Sequence, residues 1–204
     1  MDSRQATSRD LDAVTDTITL AFSNDPVWAV ALARSDGRTD HQRGFWRFFV
    51  EGSHAVGGVR LLDGAAAVSV WLPPGAPEIP DEDAPRLDAY LDSALGPDGA
   101  AEMQALFARF DEHHPRERPH AYLSLLATNP AFAGRGLGQA LLADDLARLD
   151  GEGLPAYLES TNPANDHRYE RAGFRRVGEF STVRNGAPVT TMWRESAGRA
   201  DWST

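Results

Sequence analysis

Three glycines, Gly134, Gly136 and Gly138, alternate through a short segment between an apolar run and a helical pattern. Glycine adopts positive φ angles without strain and lets other groups approach the backbone closely. The helix that follows adds the partial positive charge of its N-terminus. A strand, a glycine loop and a helix in this order predict an α/β fold whose loop N–H groups bind an anion such as a pyrophosphate.

Composition restricts the classes of protein that can carry this loop. The 204 residues, of which 42% are hydrophobic, suit one compact domain. Cysteine is absent, which excludes disulfides, thiolate metal sites and a cysteine nucleophile. The histidines have no zinc-site spacing, and we expect no metal cofactor.

Charge gives a second restriction. Every basic residue is an arginine, so a Schiff-base lysine and the lysine of a P-loop are both excluded. The formal net charge of −10 argues against nucleic-acid binding and is compatible with a cationic substrate. The sequence has no apolar stretch of membrane-spanning length, and Met1–Gln5 opens no signal peptide, so we expect a cytoplasmic protein without membrane contact.

Hydrophobic periodicity and turn residues predict a mixed sheet flanked by helices. Helices are expected after an N-cap at Thr7 and after Asp25-Pro26, and they cover residues 8–22, 40–55, the segment around 142–149, and 166–172. The predicted strands are residues 4–6, 58–63, 65–72, 120–127, 155–158, 174–182 and 188–193.

Residues 76–118 are polar and helical in period, with a break at Leu95-Gly96-Pro97. They contain too few apolar side chains for a core of their own. We therefore expect a two-helix insert on the surface of a single domain that spans residues 1–196. Residues 197–204 are expected to form a disordered C-terminal tail.

The two commonest phosphate-binding loops do not fit this chain. The P-loop lysine is absent, and G-x-G-x-x-G fails because Gln139 or Leu141 stands at the last glycine position. The loop instead resembles motif A of the GNAT superfamily of acetyl-CoA-dependent N-acetyltransferases, Q/R-x-x-G-x-G/A. The match runs from Ala133 to Gly138. Ala133 departs from the pattern, which loses one side chain but leaves the backbone donors.

A second segment also resembles this superfamily. Within Leu158–Phe174, an asparagine precedes a tyrosine that is followed by Gly-Phe, as in a downstream GNAT motif. Finer similarity, in His113–Leu123 and Gly186–Arg194, points to the branch of the family that contains puromycin N-acetyltransferase. The resemblance covers most of the second half of the chain and thins in the first half.

The resemblance implies a GNAT fold with splayed central strands and a role for particular residues. A backbone N–H near Leu126 would polarise the thioester carbonyl. Tyr169 would be the general acid that protonates the departing thiolate. Asn165 would contact the pantetheine arm, with Asn162 as the rival, although either asparagine also suits a turn or a helix cap. The residues implied in acetyl-CoA binding are Leu126, Ala127, Thr128, Ala133, Gly134, Arg135, Gly136, Leu137, Gly138, Gln139 and Asn165.

The sequence leaves the general base open. His120 has a suitable pKa range and is our catalytic candidate, although a solvated histidine at a strand end is the alternative. Tyr122 and Glu159 also border the expected cleft. Glu159 has an alternative role as the partner of an arginine such as Arg168.

These observations predict an enzyme that moves an acetyl group from acetyl-CoA to a primary amine of a small molecule, such as an antibiotic or metabolite, by direct attack. A peptide or protein N-terminus is the alternative acceptor, and a non-catalytic acyl-CoA-binding module is the alternative class. The acceptor, the acyl length and the choice between monomer and homodimer stay open. The aromatic residues expected near an acceptor pocket are Phe22, Trp28, Trp46 and Trp71.

Overall fold

A seven-stranded mixed sheet organises the computed structural model, which describes residues 3–198. Its strands are β1 (Arg4–Gln5), β2 (Val59–Leu62), β3 (Ala67–Leu72), β4 (Ala121–Thr128), β5 (Ala156–Ser160), β6 (Arg175–Ser181) and β7 (Pro188–Arg194). The helices are α1 (Leu11–Phe22), α2 (Trp28–Ala31), α3 (Gln42–Ala55), α4 (Ala84–His113), α5 (Leu137–Glu152) and α6 (Asp166–Arg171). The strand order is β1-β2-β3-β4-β5-β7-β6, and only β4 and β5 run parallel.

The central pair β4 and β5 separates partway along its length. Their pairing covers Ala121–Leu123 against Ala156–Leu158, and β4 then continues to Thr128 without β5 beside it. A V-shaped opening therefore forms in the middle of the sheet. This geometry confirms the predicted mixed sheet with splayed central strands.

A β-bulge lies at the point where the two strands part. Val70 pairs with Leu125 but Trp71 pairs with Leu123, so Ser124 is an extra residue on β4. Because side chains alternate along a strand, one extra residue exchanges the two faces beyond it. Leu123 accordingly packs on the α5 side of the sheet, whereas Leu125 joins the core on the opposite side.

The larger core lies between the sheet and the helices α1, α3 and α4. The aromatic side chains of α3 form its centre, and Phe45, Trp46 and Phe49 are all buried. Each such side chain contributes roughly 1.5–3 kcal/mol when fully buried. The smaller core on the other face packs Leu142, Leu146 and Leu149 of α5 against the strands.

The insert differs from its predicted place on the surface. Helix α4 bends at Gly96, whose φ of 75° breaks it into two halves, as the Leu95-Gly96-Pro97 signal predicts. Leu87 and Leu91 of the first half and Met103 of the second are buried in the larger core. The insert therefore shares the core of the domain and closes one side of the V.

Most predicted elements lie within a few residues of their observed positions. Helix α1 is an exception, since it begins at Leu11 after a turn and has Asp10 rather than Thr7 as its N-cap. Asp10 accepts hydrogen bonds from the N–H and hydroxyl of Thr7, so the two residues do interact. Within residues 3–198, no helix has the length and apolar character needed to span a membrane. The predicted disorder of the C-terminal tail concerns residues 197–204, of which 199–204 lie outside the described residues.

Candidate active site

The glycine loop presents a run of N–H groups that have no protein acceptor. In the described part of the chain, none of the amides from Gly134 to Gln139 donates to a protein oxygen. The next amide, that of Ala140, donates to the carbonyl of Gly136. Helix geometry explains why the first turn of α5 leaves its amides open. A phosphate group fits such a set of donors.

Two glycines of the loop are required for different physical reasons. Gly136, the N-cap of α5, has a φ of 73°, a conformation that strains residues with a side chain. Gly138 sits against β4, and a Cβ at this position would lie 2.7 Å from Oγ1 of Thr128. The loop therefore turns sharply at Gly136 and keeps close to the end of β4 at Gly138.

Two residues at the start of the loop have other interactions. The amide of Ala133 donates to the carbonyl of Pro130 at 3.1 Å, within a 3₁₀ turn that Asn129 caps. Ala133 therefore brings no open N–H group to the expected pyrophosphate site. The guanidinium of Arg135 lies over the ring of Phe132, 5.1 Å from its centroid.

The outer half of β4 faces the V. Leu126 lines the opening, whereas Ala127 turns its side chain into the larger core. Thr128 ends the strand beside Gly138. Since the pairing with β5 ends at Leu123, the β5-facing edge of this segment has no strand partner within residues 3–198. An extended ligand can bond to such an edge as an added strand would.

A cavity of about 550 Å³ fills the V and reaches under the insert. Its floor is formed by Ser124, Leu126 and the end of β5, and its roof by the loop before α4 and by α4 itself. Acidic side chains dominate its charge. The acidic lining residues are Asp25, Glu78, Asp88, Asp111 and Glu159, against one arginine, Arg116.

Glu78 is the acidic residue best placed for chemistry. It lies on the loop before α4, and its carboxyl group accepts a hydrogen bond from Oγ of Ser124, the bulged residue of β4. The residue as a whole is half-buried, but its carboxyl group is surrounded by protein. Burial raises the pKa of Glu78 to about 7, against the lowering effect of the Ser124 hydrogen bond. A carboxyl with this pKa is a general base at neutral pH.

A second buried carboxylate, Glu159, follows the last residue of β5 that pairs with β4. Its side chain is 2% exposed, and within the described residues neither of its oxygens has a partner in hydrogen-bonding geometry. Nδ1 of His114 lies 3.5 Å away and replaces the expected arginine partner, Arg168. Tyr122 lies beside both carboxyl groups, and burial together with these charges raises the pKa of its phenol well above the usual value.

His120 lies at the far end of the same cavity. With a rise of about 3.3 Å per residue along β4, it is about 20 Å from Leu126. Its Nδ1 is 2.7 Å from the carbonyl oxygen of Arg118, and burial lowers its pKa. A histidine in this place is too far from Leu126 to act directly on a group bound there.

Tyr169 faces the cavity from α6. Its ring packs edge-on against Phe174, with 6.2 Å between the ring centroids. Burial raises the pKa of its phenol to about 12, and the nearby carboxylate of Asp25 acts in the same direction. The phenol therefore keeps its proton throughout the neutral range, as a general acid must.

The two candidate asparagines differ in what their side chains do. Oδ1 of Asn162 accepts from the amide of Ala164 at 3.1 Å and so caps the 3₁₀ turn before α6. Asn165 also lines the cavity, and no hydrogen bond of its side chain occurs in the described structure. Asn165 is thus the one whose amide group can bind a ligand without loss of a turn.

Three of the four expected aromatic residues do line the cavity: Phe22, Trp28 and Trp46. Trp71 does not, because side chains alternate along β3 and Trp71 lies with Ser69 on the α5 side, where its Nε1 donates to buried Asp145 at 2.8 Å. Sequence reasoning missed Glu78 and His114 as members of the site. Glu78 lies in a proline-bearing loop with no spacing signal, and His114 ends the insert. Among residues 3–198 no group of three or more histidine and acidic side chains is arranged to hold a metal ion.

The splayed parallel pair, the bulge on β4 and the open loop amides together define a GNAT-type fold. The model of the acetyltransferase (GNAT) family matches residues 102–174, which include β4, the glycine loop and α6. A crystal structure of histone acetyltransferase HPA2 and related acetyltransferase from Corynebacterium glutamicum superposes with a TM-score of 0.73. It is 25% identical in sequence, and 98% of each chain is covered. Residues 102–174 therefore resemble the GNAT acetyltransferase family, and the chain shares the fold of a solved acetyltransferase.

The relatives found by sequence match part of this chain. Mycothiol acetyltransferase of Propionibacterium freudenreichii is 35% identical over 85 residues, which are 40% of this chain and 26% of that protein. An acetyltransferase of Agrobacterium fabrum is 33% identical over 73 residues, 35% of this chain and 53% of that protein. The chain thus spans at most about half of the length of these relatives.

Proposed function

We propose that this protein transfers an acetyl group from acetyl-CoA to a primary amine of a small, cationic molecule by direct attack. The observation that carries the proposal is the buried carboxyl group of Glu78, hydrogen-bonded to Ser124 at the mouth of the V. It puts a base beside the strand edge that is expected to bind the thioester. The GNAT fold supports the reaction class.

For acetyl-CoA, the donors are backbone groups. The open amides from Gly134 to Gln139 would hold the pyrophosphate, and the edge of β4 around Leu126 would pair with the pantetheine arm. A β4 N–H near Leu126 would polarise the thioester carbonyl. Donors that are fixed by the sheet before the reaction stabilise a developing oxyanion at little reorganisation cost.

For proton transfer, the groups are side chains. Glu78 as a carboxylate would take a proton from the ammonium form of the acceptor, which leaves a nucleophilic amine beside Ser124. Tyr169 would give its phenolic proton to the thiolate of CoA as the carbon–sulfur bond breaks. The base must be ionised near neutral pH and the acid must be protonated. The pKa values, about 7 for Glu78 and about 12 for Tyr169, meet these two requirements.

The lining of the cavity supports a small cationic acceptor over a peptide. Buried carboxyl groups attract an ammonium group, and the aromatic side chains of Trp28, Phe49 and Phe107 offer an apolar surface to its body. The insert roofs the cavity through Ile79 and Leu87. An extended peptide would need a groove that is open at both ends. The finer resemblance to the puromycin N-acetyltransferase branch also favours a small-molecule amine.

The test is release of CoA thiol from acetyl-CoA in the presence of a panel of primary amines, with mass spectrometry of the products. The panel includes aliphatic and aromatic amines and short peptides with free N-termini. We expect acetylated small amines and little peptide product. Faster acetylation of the peptides would favour the N-terminal acetyltransferase alternative. Calorimetric binding of acetyl-CoA with no CoA release from any amine would favour the acyl-CoA-binding module.

A further inference from the structure

We propose that His114 passes to solvent the proton that Glu78 takes from the acceptor, and that His120 is a positioning residue that fixes the tautomer of His114. The inference rests on the proposed function and adds an exit path to it. It comes from the hydrogen-bonding geometry of two histidines and a buried carboxylate at the end of the cavity away from Tyr169.

The tautomer of His120 follows from its backbone contact. Its Nδ1 lies 2.7 Å from the carbonyl oxygen of Arg118, which can only accept. Nδ1 of His120 therefore carries a hydrogen. Burial lowers the pKa of this histidine, so the ring is neutral at neutral pH. Nε2 of His120 is then without a hydrogen and acts as an acceptor.

The tautomer of His114 follows in turn. The Nε2 atoms of His114 and His120 are 3.2 Å apart, and one of them must donate. Since Nε2 of His120 accepts, Nε2 of His114 carries a hydrogen. This leaves Nδ1 of His114 directed at Oε1 of Glu159, 3.5 Å away. A bare ring nitrogen would repel the lone pairs of a carboxylate, so one proton is shared between His114 and Glu159.

The path from Glu78 to His114 consists of adjoining buried groups. Tyr122 lies against the carboxyl groups of both Glu78 and Glu159. The side chain of Glu159 is 2% exposed, whereas that of His114 is 28% exposed. His114 is therefore the member of this chain of groups that meets water.

Protons balance along this path. In the resting state one proton lies between Nδ1 of His114 and Oε1 of Glu159. Glu78, protonated by the acceptor, gives its proton to the Tyr122 oxygen while the phenolic proton moves to Glu159. His114 then loses its Nδ1 proton to water, and the proton on Glu159 is shared with the bare nitrogen. Glu78 returns to the carboxylate form, and one proton has reached solvent for each acceptor deprotonated.

The titratable groups that face His114 come from every element around it. Tyr157 and Glu159 project from β5, Tyr122 from β4, and His120 from the residue before β4. Glu78 on the loop before α4 adds a further charge that acts on the cluster. The cluster therefore joins the insert to both strands of the V.

His113 is a matched control on the same helix end. Its Nδ1 lies 2.8 Å from the carbonyl oxygen of Arg109, and its ring stacks on Phe180 with 4.4 Å between the centroids. It does not line the cavity. The neighbouring histidine thus has similar burial and size but no link to Glu159.

The first experiment measures kcat of His114→Ala and His113→Ala with and without added imidazole. We expect His114→Ala to lose about tenfold or more in kcat and to regain activity as free imidazole enters the vacated space. The KM for acetyl-CoA should stay unchanged, and His113→Ala should behave as wild type. A His114→Ala enzyme with wild-type kcat, or with a loss that imidazole does not restore, would overturn the proposal.

The second experiment needs no activity, so it separates this proposal from the proposed function. Long-range ¹H–¹⁵N NMR of the histidine rings reports the tautomer of each. We expect His120 with hydrogen on Nδ1 only, and His114 with hydrogen on Nε2 and a further proton on Nδ1 that is shared with Glu159. Hydrogen on Nε2 of His120 would contradict the proposal even if acetyl transfer is found. The predicted tautomers in a protein that acetylates no amine would instead contradict the proposed function.

Discussion

The glycine loop and the cavity under the insert offer their ligands opposite kinds of chemistry. The loop offers backbone amides from Gly134 to Gln139, fixed by the start of α5 and indifferent to pH. The cavity offers side chains, Glu78 and Tyr169, whose roles depend on their protonation. The loop is therefore suited to binding, and the cavity to turnover. Substitutions in the two regions should separate into effects on affinity and effects on rate.

The largest effect should follow from Glu78→Gln. The amide keeps the size of the side chain and its contact with Ser124 but cannot accept the ammonium proton. We expect kcat to fall by about a hundredfold or more, the usual range for loss of a general base, with unchanged acetyl-CoA affinity. Steady-state kinetics and calorimetry measure the two quantities.

Glu82→Gln is the control for this variant, because Glu82 is an exposed residue of the same segment. It should retain the wild-type kcat. If Glu78→Gln also retained the wild-type kcat, the cavity would not hold the base. The division into a binding loop and a catalytic cavity would then be wrong.

A smaller loss of rate is expected for Tyr169→Phe. Removal of the phenol leaves water to protonate the departing thiolate, and we expect kcat to fall by about tenfold to a hundredfold. Because the pKa of Tyr169 is raised to about 12, the wild-type kcat should not decline on the alkaline side up to about pH 10. Tyr90→Phe, in a tyrosine that packs on Phe48 outside the cavity, should have no such effect. Equal turnover of Tyr169→Phe and wild type at saturation would remove Tyr169 as the acid.

Gly136→Ala tests the other region. The Cβ has open space, but the φ of 73° strains alanine by about 1–2 kcal/mol, which the loop relieves by turning its amides away. We expect acetyl-CoA to bind about tenfold more weakly, with kcat at saturation unchanged. Gly151→Ala, on the same helix with open space and an ordinary helical φ, should bind acetyl-CoA as wild type does. A loss of kcat without a loss of affinity in Gly136→Ala would mean that the loop is not the binding region.

The smallest effects should distinguish the two asparagines. Asn162→Ala removes the cap of the 3₁₀ turn and should lower the free energy of unfolding by about 1 kcal/mol, with little change in kinetics. Asn165→Ala should instead raise the KM for acetyl-CoA and leave the thermal midpoint unchanged. Thermal denaturation and steady-state kinetics of both variants make the comparison. The reverse result would assign the ligand contact to Asn162.

The two regions also differ in how far the sequence predicts them. The glycine loop consists of consecutive residues. A positive φ at Gly136 and the close approach of Gly138 to β4 both require glycine, so the sequence shows the loop directly. The sequence therefore predicts the loop, the strand before it and the helix after it. The divergence of β4 from β5 is also predicted, through the resemblance that these residues carry.

The cavity under the insert has no motif of consecutive residues that would identify it in the sequence. Glu78, His114 and Glu159 come from three separate segments, and only the packing of the insert brings them together. The apolar residues of α4 are divided between two short helical halves by the bend at Gly96, so neither half shows a wide apolar face. This division is why the insert reads as a surface element. Because the sequence predicts the insert on the surface, it does not identify Glu78 as the candidate base. His120 is therefore the base candidate that the sequence offers.

The pH dependence of kcat/KM, compared between wild type and Glu78→Gln with the same amine, tests the central claim most directly. Glu78 acts as a base only when ionised, so wild-type activity should rise with pH through a midpoint near the Glu78 pKa of about 7. The variant lacks the base and must use the free amine, so its kcat/KM should rise through pH 7 without a break, up to the pKa of the amine. The account predicts that the ratio of wild type to variant stays level below about pH 7 and falls above it. A ratio that does not change with pH would show that Glu78 is not the base.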